Sequence, residues 1–342
     1  MTTHGGHGNH PSDGHHDQHH HPHRHGRLRS MFVPHSHDSA DAVDDELEGS
    51  ALGIRAVKTS LVVLGVTALV QGVIVLGSGS VALLADTVHN VSDALTAVPL
   101  WIAFALSRRA ASGRYTYGYG RAEDLAGLFV VAMIAISAGV TGWQAIDRLL
   151  DPRPVTHLPW VAAAAVVGFA GNELVAVYRI RVGRRIGSAA LVADGLHART
   201  DGLTSLAVLI GAVGVALGWP AADPIVGLLI TVAILVILRT ATRDVLRRLM
   251  DGIDPAVLQE ADRSLRHTTG VEDVRSLRMR WVGHRMRAEV DIEVDPALTV
   301  EQSHRIAHHA EAHLIRHVPR VDRVTVHVSP AGAHRPDPAA VG

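Results

Sequence analysis

Residues 84–93 read LADTVHNVSD, and residues 192–201 read VADGLHARTD. Each of these near-copies places a histidine and an aspartate four residues apart, His89 with Asp93 and His197 with Asp201. On an α-helix this spacing puts both side chains on one face, with their Cβ atoms about 5–6 Å apart. Each helix would therefore offer half of a four-ligand site.

Both copies lie in long apolar segments. The chain holds six such segments, each near the roughly 20 residues with which a helix crosses a hydrocarbon layer of about 30 Å. They cover residues 58–79, 81–106, 123–148, 158–181, 188–217 and 222–239. A charged side chain near the bilayer centre costs about 2.5–3.5 kcal/mol. Ionisable residues that recur there at matching positions indicate an intramembrane metal site.

The composition restricts the ligands of that site. The chain has 24 histidines, no cysteine and a formal net charge of -1. Without cysteine there are no disulfides, thiolate metal sites or cysteine nucleophiles, so a metal must be held by nitrogen and oxygen. The near-neutral charge gives no electrostatic argument for binding nucleic acid.

The repeated residues suit zinc and couple its movement to protons. Two neutral imidazoles and two carboxylates form a tetrahedral set that Zn²⁺ accepts. The vacant site carries two negative charges in a low dielectric, so protons are expected to occupy it. Because ligands must lose protons to bind metal, we expect one divalent ion to exchange for at least one proton.

The basic residues predict the orientation in the membrane. We count them with the loops that follow segments two, four and six, including the last turns of segments four and six, at Arg108, Arg109, Arg114, Arg121, Arg179, Arg181, Arg184, Arg185, Arg239, Arg243, Arg247 and Arg248. Because short cytoplasmic loops are rich in lysine and arginine, both termini are predicted to be cytoplasmic, in a multi-pass protein of the cell membrane. Segments two and five then run antiparallel with their histidines at one depth, as in transporters with inverted repeats.

The ends of the chain are polar and differ from the apolar middle. The predicted organisation is a disordered tail (1–50), a six-helix transmembrane domain (55–240), a cytoplasmic α+β domain (241–330) and a short disordered tail (331–342). The cytoplasmic domain is predicted in the order αββαβ, with helices at 255–266 and 300–317 and strands at 274–281, 286–294 and 321–328.

Two interpretations are open for each of several other polar residues in the apolar segments and in the N-terminal tail. Asp86 and Asp194 precede the repeated histidines by three residues, and we expect them to orient the metal-bound imidazoles or to line the ion pathway. Asn172 and Glu173 in segment four are expected to form hydrogen bonds between helices, with a transport role as the alternative. Twelve histidines lie between His4 and His37. This tail either binds zinc weakly or is a dispensable buffer, with the densest histidines at His15, His16, His19, His20 and His21.

These features together resemble the cation diffusion facilitator family over residues 55–330. The resemblance is carried by the two His-x3-Asp elements, the loop YGYGRAE at 117–123, Asp223-Pro224 and the αββαβ tail. It implies a homodimeric Zn²⁺/H⁺ antiporter, not an enzyme, that exports metal from the cytoplasm and has a ferredoxin-like cytoplasmic domain. It also implies transport ligands at His89, Asp93, His197 and Asp201, with Cd²⁺ and Co²⁺ as further substrates.

The resemblance is weaker in the cytoplasmic domain. Relatives bind metal there, His304 and His327 fall on matching positions, and Asp291 stands where a histidine is usual, which implies a regulatory metal site. Arg275 and Ser329, however, replace a histidine and an aspartate. The alternative is that the histidines of this helix form a solvated face, at His304, His308, His309, His313 and His317.

Two other functions compete with transport. A membrane protein that senses or stores zinc would bind the ion without moving it, and the inverted repeat argues against this function. The sequence His304-x3-His308-His309 resembles one histidine box of membrane di-iron oxidases, which need several boxes. A metalloprotease is favoured still less, because the chain has no His-Glu-x2-His motif.

Overall fold

The computed structural model describes residues 37–78, 97–151, 157–219 and 221–332. The first half of the repeat therefore lies outside the described residues, with Asp86, His89 and Asp93. So do the tail histidines before His37 and the last ten residues of the chain.

Six described helices precede the cytoplasmic domain. They are α1 (His37–Ser78), α2 (Ala97–Ser107), α3 (Arg121–Leu150), α4 (Leu158–Ile186), α5 (Ala189–Ala216) and α6 (Ala222–Leu249). Among the described residues, all of these except α2 contain a stretch long and apolar enough to cross a membrane. The predicted helical transmembrane domain is confirmed to this extent, and most of segment two lies in the part that is not described.

Helix α1 differs from the sequence prediction at its start. It begins at His37, whereas the disordered tail was predicted to extend to about residue 50. The acidic residues between Asp41 and Glu48 are therefore helical.

Helices α4 and α5 pack closely because a tight corner joins them. Gly187 ends α4 with φ at 80°, and the Ser188 side chain caps α5 by accepting a hydrogen bond from the Leu191 amide. Glycines bring the two backbones together: a Cβ atom added at Gly195 would lie 2.9 Å from the Ile180 nitrogen. This contact fixes the helix that carries His197 and Asp201 against α4.

The C-terminal part is the predicted α+β domain. Its elements are α7 (Pro255–Arg266), β1 (Asp273–Val282), β2 (Arg285–Val294), α8 (Val300–His317) and β3 (Val321–Pro330). Strand β2 pairs antiparallel with β1 and parallel with β3. Alternate residues of β2 are buried, and they pack with Leu265 of α7 and Leu314 of α8 in one hydrophobic core. The predicted order αββαβ is confirmed.

Candidate metal site

The described half of the repeat places its two polar side chains together inside the helical domain. His197 and Asp201 are 2% and 7% exposed, and 3.9 Å separates His197 Nδ1 from Asp201 Oδ1. This distance is too long for a hydrogen bond. Two ligand atoms of a tetrahedral zinc site, each about 2.0–2.2 Å from the ion, are about 3.4 Å apart, so the two atoms would have to move about half an ångström closer to share an ion. The predicted pairing of side chains four residues apart is therefore present in α5.

Asp194 forms an ion pair that the sequence did not predict. Arg179 Nη1 lies 2.8 Å from Asp194 Oδ2, and the two side chains are 2% and 0% exposed. Arg179 was counted among the basic residues of a cytoplasmic loop, and this was wrong: it lies in α4, which continues to Ile186. An arginine within an apolar segment needs a charge partner, and the aspartate of the facing helix supplies it. The guanidinium neutralises Asp194 one helical turn before His197.

The polar residues of segment four contact α5 beside this site. Glu173 accepts hydrogen bonds from Arg199 Nε and Nη2, at 3.1 and 2.6 Å, so it links the two helices as predicted. Asn172 is 6% exposed. A Cβ atom added at Gly202, the residue after Asp201, would lie 3.4 Å from the Asn172 Cβ. Asn172 is therefore a direct neighbour of the candidate site.

The candidate cytoplasmic residues do not all come together. Asp291 and His327 are partners in the parallel pairing of β2 with β3, and Ser329 Oγ donates a hydrogen bond to Asp291 Oδ1 at 2.9 Å. His304 lies on α8, with its Nε2 atom 3.1 Å from that of His308. Within the described ranges, no three or more histidine, aspartate or glutamate side chains are arranged to hold a metal.

The cytoplasmic domain is held against the helices through a buried pair. His284 follows β1 at the tip of the β1–β2 hairpin, and its Nδ1 atom lies 3.0 Å from Glu123 Oε2 at the start of α3. The two residues are 3% and 1% exposed. Nearby, Arg248 of α6 stacks on the Trp281 ring at 4.1 Å. These contacts join residues far apart in sequence, so no local pattern predicts them.

Replacing His284 with alanine is expected to destabilise the chain. The change removes the imidazole hydrogen bond of the buried Glu123 carboxyl group, and a buried polar group left without its partner costs about 1–3 kcal/mol. Thermal unfolding of the full chain should therefore begin at a clearly lower temperature. His267→Ala, at an exposed histidine after α7, is the matched control and should change little. Equal midpoints for the two variants would contradict the buried pair.

Acid is expected to weaken the cytoplasmic domain through His313. Burial lowers the pKa of His313 below its ordinary value of 6.5, and the neighbouring His317 lowers this pKa further. The unfolded chain then binds this proton at higher pH than the folded chain, so stability falls as the pH drops below about 6.5. His313→Gln should reduce the loss of melting temperature between pH 7.5 and 5.5. His309→Gln, at an exposed residue of the same helix, should not, and an unchanged loss in His313→Gln would refute the assignment.

Comparison with known proteins places the two domains in one family. Residues 57–250 match the model of the cation efflux transmembrane domain, and residues 253–331 match that of the cation efflux protein cytoplasmic domain. A probable cation efflux system protein of Mycobacterium tuberculosis (strain ATCC 25618 / H37Rv) is 63% identical over 312 residues, which is 91% of this chain and 94% of that protein.

A more distant relative matches most of the chain, and a solved structure matches a smaller part of it. Metal tolerance protein 2 of Oryza sativa subsp. japonica is 28% identical over 323 residues, covering 86% of this chain and 82% of that protein. Among solved structures, the nickel form of a MamM CTD variant is 31% identical, with a TM-score of 0.22, and the match covers 22% of this chain and 98% of that chain.

Proposed function

Because this chain belongs to the cation efflux family, we propose that it exports Zn²⁺ from the cytoplasm in exchange for protons. The family assignment makes it a multi-pass membrane transporter of divalent cations and not an enzyme. The choice of zinc and the coupling to protons rest on the chemistry of the site. We further propose that Cd²⁺ and Co²⁺ compete for the same site.

One observation carries this proposal: α5 holds His197 and Asp201 side by side in the interior of the helical domain. A buried histidine and carboxylate with 3.9 Å between their facing atoms are half of a nitrogen and oxygen set for zinc. The sequence repeat supplies the other half, His89 and Asp93, on segment two. In this proposal the four side chains close around one ion.

The neighbours of the site have supporting roles. The Arg179 guanidinium compensates the charge of Asp194, so Asp194 holds α5 against α4 and is not a ligand. Asn172 packs against Gly202, the residue that follows Asp201, and we propose that its amide supports the site from α4. With Asp194 neutralised, the described half of the site carries the single negative charge of Asp201, and metal entry displaces protons from the four ligands.

We propose that both termini of the chain are cytoplasmic. The arginines at the ends of α4 and α6 support this orientation, because short cytoplasmic loops are rich in basic residues. The match to the cytoplasmic domain model supports a homodimer in which that domain contributes contacts. Asp291 and His327 remain the predicted start of a regulatory site, and the histidine tail is proposed to bind zinc weakly without a fixed geometry.

Zinc entry into proteoliposomes tests the proposal. The full chain is reconstituted in vesicles that hold a zinc-sensitive dye, and external zinc is added with the lumen acidic, neutral or alkaline. An acidic lumen should accelerate zinc entry because protons leave as zinc enters, and a protonophore should remove this acceleration. Entry that ignores the gradient would refute proton coupling. Zinc binding without entry would instead identify a sensor or storage protein.

A further inference from the structure

A cavity of about 440 Å³ lies where α5 and α6 meet the cytoplasmic domain. Its wall along the helices is apolar and includes Val192 and Leu196 of α5 and Ala241 of α6. Its cytoplasmic rim carries four arginines, Arg184, Arg247, Arg248 and Arg320. The cavity is thus apolar towards the membrane and basic towards the cytoplasm.

The rim has an excess of positive charge. Besides the four arginines, the lining contains two carboxylates, those of Asp244 and Asp254. Asp244 accepts a hydrogen bond from Arg247 at 3.0 Å, and Asp254 caps α7 by accepting one from the Ala256 amide. Ser188 and Ala189 at the N-terminus of α5 also line the cavity, and the dipole of this helix adds to the attraction for an anion.

The arginines of the rim retain N–H groups that can donate hydrogen bonds to a ligand. Arg320 Nη2 donates to the Arg184 carbonyl at 2.9 Å, and Arg248 Nη1 donates to the Gly187 carbonyl at 2.6 Å. A guanidinium has five N–H donors, so these bonds position each group and leave further donors. Forked donors of this kind suit the oxygen atoms of a phosphate.

The backbone at the rim brings Arg320 close to the helix corner. Arg320 has φ at 69°, a left-handed conformation that is uncommon for residues other than glycine. A Cβ atom added at Gly187 would lie 2.8 Å from the Arg320 Cδ, so the Arg320 side chain packs directly against this glycine. Two residues with positive φ therefore lie together at the arginine rim.

We propose that this cavity binds an anionic phospholipid of the cytoplasmic leaflet, with its phosphodiester at the arginine rim. One acyl chain lies along Val192 and Leu196. The rim is at the ends of two spanning helices, the depth at which lipid headgroups lie, and basic pockets between helices on this side bind anionic headgroups. The apolar wall favours a lipid over a soluble phosphate, which has no acyl chain to bury.

Two double variants of the full chain test this proposal. Arg184→Gln with Arg247→Gln removes two charges from the rim. Arg185→Gln with Arg243→Gln removes two charges from the same ends of α4 and α6, at exposed positions that do not line the cavity. Native mass spectrometry measures the fraction of protein that carries phosphatidylglycerol, phosphatidylcholine or glycerol 3-phosphate. Thermal midpoints in detergent show whether both variants fold like the unmodified chain.

Phosphatidylglycerol should bind the unmodified chain and the control, and should bind the rim variant at least about tenfold more weakly, as the loss of charge-assisted hydrogen bonds predicts. Phosphatidylcholine and glycerol 3-phosphate should bind poorly to all three. Equal losses in the two double variants would overturn the site. Glycerol 3-phosphate binding as well as the lipid would overturn the lipid as its ligand. Neither result depends on metal transport.

Discussion

Replacing Asp201 with asparagine is expected to abolish zinc flux while the protein remains folded. Asparagine keeps the size of the side chain but removes the negative charge, and a neutral amide is a poor zinc ligand. Changes at residues that only support metal ligands already cost 10–100-fold, so loss of a ligand should cost at least about 100-fold. Uptake of radioactive zinc into inside-out vesicles measures the effect.

Two controls make this result specific. Asp262→Asn, at an exposed aspartate of α7, removes the same charge far from the candidate site and should transport normally. Size-exclusion profiles and thermal midpoints should agree for both variants and the unmodified chain. Flux in Asp201→Asn within a few-fold of normal would mean that this carboxylate does not hold the ion.

The second large effect is expected at the buried pair of Arg179 and Asp194. Arg179→Met leaves the Asp194 carboxylate inside the helical domain without its guanidinium, and breaking such a pair costs about 3–5 kcal/mol. The double variant Arg179→Met with Asp194→Leu should recover most of the stability, because replacing both charges with apolar groups of similar volume is often neutral or stabilising. Thermal unfolding in detergent compares the two variants.

Zinc flux in the same variants distinguishes a purely supporting role of Asp194 from a role in the ion pathway. If Asp194 only holds α5 in place, the double variant should transport zinc within a few-fold of the unmodified chain. A double variant that folds but does not transport would put Asp194 in the ion pathway and contradict the supporting role.

Local sequence patterns predicted the helices and strands of the C-terminal domain well, because the residues that start each element and alternate along it are close together in sequence. Helix α8 begins where Thr299 and Gln302 form a capping box, and α7 begins at a proline that follows its aspartate cap. Alternation in β2 matches its observed burial. The bounds of the helices and strands therefore agree within two residues. The pairing of His197 with Asp201 also follows from helix geometry alone.

The sequence was less informative where a contact joins distant elements. Counting arginines to orient the helices treats each one as a loop residue, so Arg179 was assigned to a loop although its charge is neutralised inside the helical domain. The His284 pair with Glu123 spans 161 positions, and nothing near either residue marks the other. The family resemblance, and not a sequence pattern, joined His304 to Asp291 and His327, whereas in the structure His304 lies beside His308.

Zinc-soaked crystals of the full chain, measured at the zinc absorption edge, test the four-ligand site most directly. We predict an anomalous peak within about 2.0–2.2 Å of one imidazole nitrogen and one carboxylate oxygen from each copy of the repeat, at His89, Asp93, His197 and Asp201. The peak should be lost in Asp201→Asn. Zinc bound elsewhere in crystals of protein that transports zinc, with no peak between α5 and the first copy of the repeat, would contradict the four-ligand site.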